Sequence, residues 1–91
     1  MAFTSTIKDK KEFPGGYVIE WGTWAATGGD TSGTITLSTS NPKFGDLIIG
    51  TANSNTSTPT AVSTRLVSNT GMALAFTAND TGTYFVLGRA S

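Results

Sequence analysis

An all-β fold is predicted for this chain, a small antiparallel β-sandwich or barrel of about six or seven strands. Three observations predict it. Apolar residues alternate with a period of two rather than 3.6 along most of the sequence. Clusters of Gly, Pro, Asn and Asp interrupt these runs at roughly ten-residue spacing. Thr and Ser supply 26 of the 91 residues (17 Thr, 9 Ser), a load that no candidate helix survives.

The elements follow in order. Residues 1–12 read as a short N-terminal arm, with alternating Phe3, Ser5 and Ile7 before five consecutive charges, Lys8, Asp9, Lys10, Lys11 and Glu12. Phe13-Pro14-Gly15-Gly16 is a break, and the body runs over residues 13–91. Tyr17, Ile19 and Trp21 alternate with Val18, Glu20 and Gly22, predicting a strand whose apolar face carries Tyr17, Ile19 and Trp21. Trp24 is out of phase with Trp21, which predicts a bulge or twist near Gly22-Thr23. Ala26 to Gly33 reads as a loop, and Ile35 and Leu37 share one face of the next strand. After the turn at Asn41-Pro42-Lys43, Phe44 to Gly50 is apolar on both faces through Leu47-Ile48-Ile49. Thr51 to Pro59 is a polar loop. Val62, Thr64 and Leu66 share a strand face, as do Met72, Leu74 and Phe76. Asn79-Asp80-Thr81-Gly82 reads as a hairpin turn before a last strand, Thr83 to Gly88.

Composition bounds the chemistry. The chain has no Cys and no His, which removes disulfides, the usual zinc sites and Ser-His-Asp or Cys-His nucleophile systems. Charged residues are 13% of the chain, against about 25% in ordinary soluble domains, and the net charge is zero. No basic footprint for nucleic acid or anionic lipid results. No apolar run approaches the ~18 residues of a membrane span, and no apolar segment follows the charged start as in a secretory signal. The expectation is synthesis in a cytoplasm, with little weight on the glycosylation-like triplets at Asn55 and Asn79. A domain this small buries only roughly 60–65% of its unfolded surface. Without staples, partners are expected to stabilise it.

Site candidates are few. A glycosidase needs two carboxyls across the scissile bond. Asp30 and Asp80 lie in turns, Asp46 at a strand start, and only Glu20 in mid-strand, where it reads as hydrogen-bonded to a neighbouring strand or chain. The Gly28–Gly33 loop lacks the Lys and helix of a phosphate-binding loop and the ligand spacing of a calcium loop. Trp21 reads as core and Trp24 as a rim or interface residue. The two-faced strands at Leu47–Ile49 and Tyr84–Leu87 are either central and covered on both sides or buried between subunits. Ala73 and Ala75 offer a small-residue face beside the last strand.

The segment Phe13-Pro-Gly-Gly-Tyr-Val-Ile-Glu-Trp-Gly-Thr-Trp24 resembles the opening of C-terminal domains of phage tail fibres. Gly71-Met-Ala-Leu-Ala-Phe76 and Tyr84-Phe-Val-Leu-Gly88 are similar to their ending, so the likeness covers 13–91. It departs at Glu20, usually Gln there, and at Phe85, where Trp is common. Met1-Ala-Phe-Thr-Ser-Thr-Ile7 and the Gly28–Gly33 loop also resemble small phage structural proteins. The fibre-tip likeness implies a β-sandwich trimer with loops that contact host receptors, and no cofactor.

The chain starts at its own Met1 and carries no shaft, so the expectation is a non-enzymatic capsid decoration or cement protein of a phage virion. Phe3, Ile7, Lys8, Lys10 and Lys11 are expected to contact the shell, formed by a major capsid protein or another virion protein. Leu47, Ile49, Ala73, Ala75, Tyr84 and Val86 are expected at subunit interfaces. The alternative is a receptor-binding tip for a host surface glycan, with contacts at Trp24, Asn53 and Asn55. Neither reading involves nucleic acid, membrane insertion, a metal or a cofactor.

Overall fold

Pro14-Gly15-Gly16 reverses the chain between two long strands, β1 (Ala2–Phe13) and β2 (Tyr17–Thr27). Gly15 and Gly16 both take positive φ, which β-carbon-bearing residues resist, and Gly16 N–H closes the turn on Phe13 O at 3.1 Å. The computed structural model describes residues 2–40, 42–55, 61–68 and 70–90. Five further strands follow: β3 (Ser32–Thr36), β4 (Phe44–Ser54), β5 (Ser63–Ser68), β6 (Gly71–Ala75) and β7 (Thr81–Ala90). They form two antiparallel sheets, β1-β2-β7-β4 (sheet A) and β3-β6-β5 (sheet B). The described residues contain no helix. The all-β expectation holds.

The two sheets enclose one core. Val18, Trp24 and Ala26 of β2, Phe44 of β4 and Tyr84 and Val86 of β7 meet Ile35, Met72 and Leu74 from sheet B, with Leu37 and Phe76 from flanking segments. Phe3, Trp24 and Phe76 stack as an aromatic trio, with ring centroids 4.8–6.2 Å apart. The predicted inner pairs Ile35/Leu37 and Met72/Leu74/Phe76 are buried as expected.

Several expectations need correction. Residues 2–12 do not stand apart as an arm. They belong to β1, which pairs with β2 from Ala2↔Thr27 to Phe13↔Tyr17. The Phe3 ring anchors this strand: it stacks on Trp24 and Phe76 and lies where a β-carbon on Gly33 would stand. The phase of β2 is the reverse of the expected one. Val18, Glu20, Gly22, Trp24 and Ala26 point inward without interruption, and Tyr17 and Trp21 are exposed. The bulge lies in β1 instead, where the register shifts between Ile7 and Asp9. Asn79, with φ of 61°, does turn the chain, but β6 and β7 lie in different sheets. That turn is therefore a crossover and not a hairpin.

Candidate functional site

A buried polar cluster explains the reversed phase of β2. Glu20 is fully buried, yet both carboxylate oxygens are satisfied: Ser38 N–H donates to Oε1 at 2.9 Å and the Tyr84 hydroxyl donates to Oε2 at 2.8 Å. Burial, together with the bond to Glu20 and its charge, holds the Tyr84 phenol far above its ordinary pKa, so it stays a donor. Lys10, opposite Glu20 on β1, reaches the same loop. Its Nζ donates to Ser38 Oγ at 2.6 Å and to Ser40 O at 2.9 Å. The expected hydrogen-bonded role of Glu20 is what the structure shows. The cluster joins β1, β2 and β7 to the segment after β3, and it exposes no reactive oxygen.

Inward placement of Glu20 turns Tyr17, Ile19 and Trp21 of β2 outward. On the outer face of sheet A, register places Trp21 beside Phe85, Ile19 beside Leu87 and Tyr17 beside Arg89. On one flank, β1 adds Asp9, Lys11 and Phe13 next to Trp21, Ile19 and Tyr17. On the other, β4 adds Thr51, Ile49 and Asp46 next to Phe85, Leu87 and Arg89. Trp21 is 44% exposed and Ile49 52%. The Arg89 guanidinium lies 4.9 Å from the centre of the Tyr17 ring, a cation–π contact that holds the charge flat against the sheet. Four strands thus present a contiguous aromatic and aliphatic surface, with charges of both signs within it.

The other half of the same face is hydroxylated. Thr6, Thr23, Thr83 and Asn53 form one cross-strand row, and Thr4, Ala25 and Thr81 the next. A shallow groove of about 330 Å³ runs among Thr4, Thr6, Thr23, Thr81 and Asn55. A smaller depression of about 120 Å³ lies between Trp21, Ile19 and the Asp9–Lys11 stretch.

The predicted contact residues separate on this geometry. Trp24 is not at a rim: it is 2% exposed, and its Nε1–H donates to Thr83 O at 3.2 Å. Trp21, expected in the core, is the exposed indole. Tyr84 and Val86 are not interface residues, because β7 turns them into the core and presents Phe85 and Leu87 instead. Leu47 packs partly against the core, whereas Ile49 is exposed. Of the five residues expected at the shell, Phe3 and Lys10 are engaged within the chain, and Ile7, Lys8 and Lys11 are exposed. Asn53 and Asn55 are exposed; the expected loop from Thr51 begins later, since β4 carries the chain through Ser54, and residues 56–60 lie outside the described residues. Ala73 is half-buried and Ala75 exposed on the outer face of sheet B.

Reasoning from the sequence missed Phe85 and the outward direction of Tyr17 and Trp21. The available signal was the unbroken spacing Val18-Glu20-Gly22-Trp24-Ala26, which needs no bulge. The described residues hold no cluster of three or more carboxylates suited to a metal. Comparison with protein-family models, with curated proteins and with solved structures gave no match.

Proposed function

We propose that this chain is a non-enzymatic structural subunit of a phage virion, a capsid decoration or cement protein that self-associates and reinforces a protein shell. The observation that carries this reading is the outer face of sheet A. A solvated antiparallel sheet alternates apolar-in and polar-out. Here Tyr17, Trp21, Phe85 and Ile49 stand on the outside of a sheet whose inside is already filled. Large exposed apolar patches mark association surfaces, and aromatic side chains are enriched in such interfaces. The resemblance of 13–91 to phage fibre domains and the scarcity of charge support a place in an assembly. The exposed Ile7 and Lys8 of edge strand β1 are the surface left for the shell. Co-sedimentation of the purified protein with capsids stripped of it tests the reading. Saturable binding, weakened by the Lys8→Glu variant, is the expected result. Absence of binding to capsids overturns it.

A second reading, a fibre-tip-like domain for a host glycan, is favoured by one observation. The exposed Trp21 indole flanks a depression with Asp9 and Lys11, an apolar platform beside charged hydrogen-bonding groups. Its contacts are then Trp21, Asn53 and Asn55, since Trp24 is buried. Glycan binding lost in Trp21→Ala supports this reading, and retention on capsids without glycan binding removes it.

A further inference from the structure

We propose that the outer face of sheet A is covered by the same face of a second copy, in a two-fold dimer whose axis runs parallel to the strands. This inference rests on the assembly reading above and names the occupant of its surface.

Charge on the face selects this occupant. The apolar half carries Lys11 and Arg89 against Asp9 and Asp46, two of each sign, so it has no net charge with which to attract a strongly acidic or basic partner. It does suit itself. A two-fold axis along the strands, between β2 and β7, sets β2 of one copy over β7 of the other. Trp21 then meets Phe85 of the second copy, Ile19 meets Leu87 and Tyr17 meets Arg89. At the flanks, Lys11 faces Ile49 and Asp46 faces Phe13, so no like charges are opposed. Aligned sheets pack with a rotation of about 30°, which displaces pairs in proportion to their distance from the centre of rotation and so moves Trp21–Phe85, next to the middle of β2, least. The pairs near the axis are the aromatic and aliphatic ones.

Size agrees with this arrangement. Eleven residues at about 3.4 Å rise and four strands at about 4.8 Å spacing give the face a footprint of roughly 700 Å². A standard interface takes about 800 Å² of accessible surface per partner, and accessible area exceeds flat footprint. The apolar half supplies the dry centre of such an interface and the threonine rows a polar margin. Three copies around an axis meet at inclined faces and do not cover whole sheets. A trimer would therefore have to use a different surface.

Sedimentation equilibrium on the full chain tests the proposal. The wild type is expected at twice the 9.4 kDa chain mass. Trp21→Glu and, independently, Phe85→Glu are expected at the single-chain mass, with circular dichroism and thermal melting confirming that both remain folded. A wild-type monomer, a three-chain mass, or a dimer that survives both charges overturns it. Capsid co-sedimentation keeps the two proposals distinguishable. A wild-type monomer that still saturates capsids defeats the dimer and leaves the virion reading standing. A dimer that ignores capsids does the reverse.

Discussion

The two outer faces of this sandwich are made differently. Sheet B turns outward Ser32, Ala75 and Ser63 in one cross-strand row and Thr34, Ala73 and Arg65 in the next. Sheet A turns outward Trp21 beside Phe85 and Ile19 beside Leu87. Both sheets fill a common core, so neither outer face is needed to complete it. The sheet B surface is closer to what hydration alone would select: mostly small or hydroxylated side chains and Arg65, with exposed Val67 on edge strand β5. The sheet A surface keeps large apolar groups in water, which is unfavourable for an isolated domain by about 25 cal/mol per Å² left uncovered. The difference is why the proposed association surface is placed on sheet A and not at Ala73 and Ala75.

Substitutions can break or sharpen this contrast, and the largest effect is expected within one strand. Trp24 and Trp21 lie on opposite faces of β2. Trp24→Ala should cost about 3–5 kcal/mol in denaturant unfolding through loss of the aromatic trio. Trp21→Ala, measured at dilutions where the chain is monomeric, should change stability by less than about 1 kcal/mol. Equal costs would contradict the assignment of inner and outer faces. Next comes the cluster that sets that phase. Glu20→Ala leaves Ser38 N–H and Tyr84 O–H without their acceptor, and should destabilise by about 2–4 kcal/mol, about one to two for each orphaned donor.

A pH effect follows from the same bond. The folded Tyr84 phenol titrates above its ordinary value of 10.0, so the native state retains a proton that the unfolded chain releases. Its stabilising contribution is complete below pH 10 and is lost as pH rises beyond it, by up to about 1.4 kcal/mol per pH unit. Tyr84→Phe should be less stable at neutral pH and should show a shallower alkaline loss in denaturant titrations. A slope identical to wild type would contradict the buried bond. The smallest effect is expected on sheet B, where Ala73→Glu should shift stability by no more than about 0.5 kcal/mol.

Much of the fold was legible because period-two alternation and turn residues are local signals. Ile35/Leu37 and Met72/Leu74/Phe76 were placed on the correct faces from spacing alone. The face of β2 was not, because its inward carboxylate depends on a backbone N–H 18 residues away and a hydroxyl 64 residues away. From the sequence Glu20 reads as hydrogen-bonded to some neighbouring strand or chain, but without its partners in view the apolar alternation of Tyr17, Ile19 and Trp21 takes the core face. Tyr84 and Val86 were misassigned for the same reason, since a strand apolar on both sides does not say which side is the core. The charges of Lys8–Glu12 suggested an arm, although an edge strand carries such charges to discourage further strand pairing. Its anchor is the stacking of Phe3 on Trp24 and Phe76, a contact between remote segments.

The contrast between the two faces is tested most directly by one matched experiment: sedimentation equilibrium of the wild type, Trp21→Glu and Ala73→Glu under identical conditions. The account predicts that wild type and Ala73→Glu share twice the chain mass and that Trp21→Glu alone falls to the single-chain mass. Equal masses for all three proteins, or a loss of association confined to Ala73→Glu, would contradict it.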